Sequence, residues 1–197
     1  MITKKVAIIV GSLRKESYCR KVAHALIALS PKDLEMKILE IKNLPIYNQD
    51  LDKEAPVEWT DFRSKLKSFD GIIFVTPEYN RSISGVLKNA IDVGSRPYGQ
   101  NAFEAKPAAV ISASIGRLGA FGANHHLRQS LVFLDMPTMA QPEVYLGEVA
   151  KIFAEEGHLI SESTGELIKK FANSFTEWVT KNSHFRSTNN FEHVVQT

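Results

Sequence analysis

Three short stretches hold the residues able to do chemistry. The first, Gly11-Ser12-Leu13-Arg14-Lys15-Glu16-Ser17-Tyr18, directly follows the apolar run Val6–Val10. A helical pattern comes after it. A helix begins with unpaired N–H groups and the positive end of its dipole, so this position suits an anion. Ser12 and Ser17 add hydroxyl donors, and Arg14 adds a planar fork that fits a phosphate. A plainer reading stays open, in which Ser17 only caps the helix and Arg14 is solvated. The stretch is neither G-x-x-x-x-G-K-[ST] nor G-x-G-x-x-G, which disfavours a nucleoside triphosphatase and a Rossmann dehydrogenase.

The second stretch, Thr76-Pro77-Glu78-Tyr79-Asn80-Arg81-Ser82, follows the run Gly71–Val75. Tyr79 could line a flat ligand and Asn80 could hydrogen-bond its edge. Equally, this is a capped turn, with Asn80 or Ser82 leading into the next helix. The third stretch, Ser112-Ala113-Ser114-Ile115-Gly116-Arg117-Leu118-Gly119, follows Ala108–Ile111. Its glycines let a backbone approach something closely, whether a ligand or simply a packed neighbour. His125 and His126 are adjacent, so on a helix they point about 100° apart and share a metal poorly. With no HExxH or CxxC partner, they read as an oligomer contact or as plain surface.

The elements around these stretches explain why they would converge. Val6–Val10, Gly71–Val75 and Ala108–Ile111 are continuous apolar runs, as strands buried on both faces are, and Met36–Ile41 is a weaker one. Helical spacings lie between them. Val22, Leu26 and Leu29 share a face, as do Trp59, Phe62, Leu66 and Phe69; then Leu87, Ala90, Ile91 and Gly94; then Leu127, Leu131 and Leu134. The last helix uses Ile168, Phe171, Phe175 and Trp178, with Ser163 and Glu166 as a capping box. Alternating strands and helices imply a doubly wound α/β protein with a parallel sheet. Five strands would match a flavodoxin-like order, 2-1-3-4-5, which comes from the class and not from periodicity. In such sheets ligands collect at the carboxyl ends of the strands. All three stretches would lie there. Asn43–Pro56 reads as a long loop. The expected domain covers residues 1–181, with a tail from 182 to 197 that is flexible or lies on a partner.

Composition narrows the classes further. Among 197 residues, Lys and Arg number 24 and Asp and Glu 22, a balance too even to imply nucleic acid or an anionic membrane. Cys19 is the single cysteine, so no internal disulfide can form. The first apolar run is too short for a signal-peptide core or a membrane span. A cytoplasmic protein is expected.

The segments "GSLRKESYCRKVA", "TPEYNRSISGVLKNAIDVGSRP" and "SASIGRLGAFGANHHLRQSLVFLDMP" together resemble the signatures of the NADPH-dependent FMN reductase family, bacterial quinone and chromate reductases in particular. The likeness runs from about Val6 to Trp178. It implies bound FMN, with NADPH or NADH as hydride donor and a small-molecule electron acceptor: a quinone, azo compound, metal oxyanion or free flavin. Ser12, Arg14 and Ser17, with the backbone through Tyr18 and Cys19, would hold the phosphate. Pro77, Glu78, Tyr79 and Asn80 would lie against the ring system, largely through main-chain contacts, and Ser114 and Gly116 would close its other side. Arg81 and Arg117 are weaker candidates for the acidic groups of NADPH. Leu87, Lys88, Asn89, Ile91 and Asp92 would sit on the helix used for dimer contact, giving a homodimer or homotetramer. Cys19 stands where the family usually has Asn, and Val93 where it usually has Trp. No catalytic side chain is required, since the protein supplies position and polarity to cofactor chemistry. A flavodoxin-like FMN electron carrier is the alternative. Such carriers are usually strongly acidic, which the balance of +2 here argues against. A flavin-free domain on the same fold is the third reading.

Overall fold

A computed structural model describes residues 3–182. Five strands, β1 (Lys4–Val10), β2 (Leu34–Ile38), β3 (Gly71–Thr76), β4 (Ala108–Ala113) and β5 (Val144–Leu146), form one sheet in the order β2-β1-β3-β4-β5. Every pairing is parallel. Five α-helices cover it: α1 (Tyr18–Leu29), α2 (Val57–Lys67), α3 (Gly85–Ser95), α4 (Phe121–Phe133) and α5 (Glu162–Asn182). The flavodoxin-like doubly wound sheet expected from the sequence is therefore the observed one.

Side chains alternate across the strands, and each face of the sheet makes its own core. Val6, Ile8, Val10, Ile73, Val75 and Ile111 pack against Val22 and Leu26 of α1 and Ile168, Phe171 and Phe175 of α5. Ala7, Ile9, Ile72, Phe74 and Val110 pack against Trp59 and Leu66 of α2, Leu87 and Ala90 of α3, and Leu127 and Leu131 of α4. Both faces are covered, which is why the central strands read as unbroken apolar runs.

Several boundaries move from their expected places. The second strand spans Leu34–Ile38, not residues 36–41: the Leu39 amide makes the last bond to β1, donating to Ile8 O at 2.9 Å, and the Leu39 and Ile41 side chains pack on the α2 side. α5 is capped by Ser161, whose Oγ accepts from the Thr164 amide at 3.3 Å; Glu166 pairs with Lys169 instead. α3 is capped by neither Asn80 nor Ser82 but by Ser84, whose Oγ accepts from the Leu87 amide and donates to the Gly11 carbonyl at 2.6 Å. α5 runs through Asn182, where the tail was expected to begin, and residues 183–197 lie outside the described ones.

The helix that the resemblance assigns to dimer contact faces largely inward within the protomer. Leu87 and Ile91 belong to the protomer's own core. Asn89 is buried and accepts from the Tyr47 amide while donating to Pro45, so it fastens the 43–56 loop. Only Lys88 and Asp92 point outward, paired with each other at 2.7 Å. Val93 is fully buried, and its carbonyl accepts from Arg63 Nε.

Candidate functional site

The first loop leaves β1 at Gly11, whose amide donates to Val75 O, so the chain stays tied to β3 as it turns. Ser17 then caps α1 and accepts from the Arg20 amide at 3.2 Å. The two amides ahead of Arg20, those of Tyr18 and Cys19, have no carbonyl within the helix to receive them. No acidic residue stands in the first turn of α1. Ser12, Ser17 and Cys19 are buried, and Arg14 is exposed. Burial pushes the Cys19 thiol up to about 12, although its own amide and the Arg14 charge pull it down. Cys19 is thus a neutral thiol at ordinary pH and no nucleophile.

The second loop is a tight turn. Tyr79 and Ser82 exchange two main-chain hydrogen bonds of 2.9 Å, with Asn80 (φ 51°) and Arg81 (φ 63°) at its tip. Positive φ at both central positions defines a type I′ turn. It holds the Tyr79 ring half-exposed at the rim of the cleft. The third loop is strapped to the end of β5. Ser114 N donates to Leu146 O, and Val149 N and Glu148 N donate to Ser114 O and Gly116 O. Gly119 (φ 58°) lies so close to this strap that a Cβ there would stand 2.6 Å from the Tyr145 carbonyl carbon. Its own carbonyl accepts from the buried Ser112 hydroxyl at 2.7 Å.

The three loops meet at the carboxyl edge of the sheet around an open cleft of about 210 Å³. Ser12, Arg14, Ser17, Tyr18 and Cys19 line it from the first loop, Pro77, Glu78 and Tyr79 from the second, and Ser114 from the third. Asn80 and Gly116 do not line it. Asn80 sits at the exposed tip of the turn, and Gly116 is turned outward with its amide on Ser114 Oγ. Ala113, Ile115 and Val149 complete the wall and were not anticipated. Ile115 could have been noticed as an apolar residue inside a polar loop. Val149 reaches the cleft only because β5 pairs with β4, which leaves no mark in the local sequence. Arg81 is 77% exposed and touches Glu78, and Arg117 is exposed. His126 Nδ1 lies 2.7 Å from Ser82 Oγ, and His125 Nε2 lies 3.0 Å from the Tyr145 hydroxyl.

This donor set matches a phosphorylated flavin. Two hydroxyls, one guanidinium and the unpaired start of α1 suit a phosphate dianion, and Tyr79 and Ile115 line the same cleft from the other two loops. Comparison with known proteins agrees. The model of the family described as NADPH-dependent FMN reductase matches residues 4–151. A quinone reductase of Pseudomonas putida is 57% identical over 178 residues, covering 90% of this chain and 95% of that protein. A 2-hydroxy-1,4-benzoquinone reductase of a Burkholderia species is 41% identical, covering 89% of this chain and 96% of that one. Among solved structures, FerB, the flavoenzyme NAD(P)H:(acceptor) oxidoreductase of Paracoccus denitrificans, superposes with a TM-score of 0.86 at 39% identity, covering 91% of this chain and 99% of that one. The fold and cleft are those of a flavodoxin-like oxidoreductase. More specifically, the chain belongs to the NADPH-dependent FMN reductase family, whose members use FMN and NAD(P)H.

Proposed function

We propose that this protein is an NAD(P)H-dependent quinone reductase that binds FMN in the cleft between its three loops. The carrying observation is the convergence of the α1 start, the Tyr79 turn and the Ser114 loop on one edge of the sheet. Ser12, Arg14, Ser17 and the amides of Tyr18 and Cys19 hold the phosphate. Pro77, Glu78 and Tyr79 flank the ring on one side and Ser114 on the other. Bound there, FMN would supply the two-electron redox chemistry that links a reduced nicotinamide to the acceptor. The chain's own residues then have three tasks: to bind, to orient and to leave one face open. A 210 Å³ cleft fits this division. It is open and smaller than the roughly 300–1,000 Å³ pockets that enclose a drug-sized ligand, so a flavin there would keep part of its ring exposed.

Quinones are the acceptors named for the relatives with the highest identity quoted above. Azo compounds, metal oxyanions and free flavin are further acceptors that the same open face would admit. We also propose a homodimer or homotetramer acting in the cytoplasm. Val132 and Phe133, each 75% exposed at the end of α4, support self-association. A lone buried cysteine suits a reducing compartment. Among the described residues, no helix is long and apolar enough to cross a membrane.

The test is optical. Protein purified with FMN should be yellow, should bleach with NADPH in the absence of air, and should recover its colour when benzoquinone is added. Colour that survives NADPH would indicate an electron carrier. A protein that takes up no FMN would end the flavin reading.

A further inference from the structure

The turn after β3 is fastened to a helix some forty residues away. α4 follows Ala120 (φ 61°) and receives no cap from its own side of the chain. The Ala123 amide in its first turn donates instead to Glu78 Oε2 at 3.1 Å. Only 15% of that side chain is exposed, and the other carboxylate oxygen meets the solvated Arg81 at 3.3 Å. At the far stem of the same turn, Ser82 Oγ lies 2.7 Å from His126 Nδ1. Ala123 and His126 are three residues apart, on one face of α4. Glu78 and Ser82 bracket the turn, so both of its stems are pinned to that face.

Such pinning has a purpose here. Asn80 and Arg81 both carry positive φ, a conformation that persists in non-glycine residues only when the surroundings enforce it. The contact is also close. A Cβ on Gly122 would lie 3.0 Å from Glu78 Oε2 and 3.2 Å from the Arg81 carbonyl. Glycine at that helical position lets the turn seat directly on α4.

We propose that α4 sets the position of the Tyr79–Asn80–Arg81 turn over the cleft, with Glu78 and His126 as positioning residues for flavin binding. This rests on the flavin reading above. The Glu78 side chain acts through α4, and the main chain of the turn meets the ligand.

FMN titration by fluorescence quenching, with melting temperature and the split between KM and kcat followed in parallel, tests the idea. Glu78→Ala should weaken FMN binding about tenfold or more, whereas Glu78→Gln, whose amide oxygen still accepts from Ala123, should stay within about threefold of wild type. Gly122→Ala separates positioning from stability, because Ala is the better helix former. The propensity gain and the loosened Glu78 cap are each about 1 kcal/mol, so that variant should melt within a few degrees of wild type, bind FMN several-fold more weakly and raise the acceptor KM. Ser82→Ala, His126→Ala and the double variant should lose similar amounts, since they remove one bond. Gly122→Ala and Glu78→Ala proteins that bind FMN like wild type would overturn the inference and leave the flavin reading standing. A wild-type protein that binds no FMN would overturn both.

Discussion

Ser84 joins the phosphate loop to α3, and removing its hydroxyl should show how far the cleft depends on that joint. Its Oγ donates to the Gly11 carbonyl at 2.6 Å and accepts from the Leu87 amide at 3.3 Å, with the residue 5% exposed. Ser84→Ala removes a helix cap, typically about 1 kcal/mol. It also deprives a buried carbonyl of a donor, costing about 1–3 kcal/mol more. The sum, about 3 kcal/mol, corresponds to a fall in melting temperature of roughly 6–12 °C for a domain of this size. Urea denaturation of flavin-free protein, followed by circular dichroism, measures it without ligand linkage. Ser68→Ala is the control: its exposed hydroxyl donates to Lys65 O, and the loss should stay within about 0.5 kcal/mol. FMN affinity should fall with Ser84→Ala, because Gly11 leads directly into the phosphate loop. Equal stability losses for the two variants, or a Ser84→Ala protein indistinguishable from wild type, would refute the reasoning.

Arg14→Ala should weaken FMN binding by about 1–2 kcal/mol, the low end for a charge-assisted bond because the side chain is exposed; an unchanged dissociation constant would show that Arg14 points into water. Arg20 holds the Glu40 carboxyl below its usual range through a bidentate contact of 2.7 and 2.8 Å. A lowered carboxylate pKa stabilises the fold above the unfolded value of about 4.3 and loses that contribution as pH falls through the lower folded value. Glu40→Gln should therefore cost no more than about 1 kcal/mol at pH 7, with the gap to wild type closing in acid, as pH-dependent urea melts would show. With its pKa pushed up to about 12, Cys19 should resist an aromatic disulfide reagent at pH 8 until the protein is unfolded; prompt stoichiometric labelling of the folded protein would contradict its burial.

How much was legible in the sequence depended on whether the cause was local. Val6–Val10 and Gly71–Val75 announce themselves because both faces of those strands are buried. β5 has three residues, with only Val144 and Leu146 buried, too short a span for any period to emerge. Cap positions slipped because Ser161, Ser163 and Ser84, Ser82 are chemically alike, and only the path of the chain chooses among them. The three loops stood out as small polar stretches after apolar runs, and their convergence follows from the parallel sheet. What escaped notice was set by distant pairing: Val149 through β5, and the Glu78 cap on Ala123 across forty-five residues. By resemblance Asn89 falls on a dimer-contact helix, and Val93 is notable only as standing where the family usually has Trp. Inside the protomer they secure the 43–56 loop and Arg63.

The phosphate cradle at the start of α1 is the claim on which the rest depends, and riboflavin, which is FMN without its phosphate, tests it most directly. Paired titrations at low salt should give FMN an affinity at least about a hundredfold above that of riboflavin, as two or more charge-assisted contacts would supply. Arg14→Ala should narrow that ratio while leaving riboflavin binding unchanged. Equal affinities for the two ligands would contradict the account.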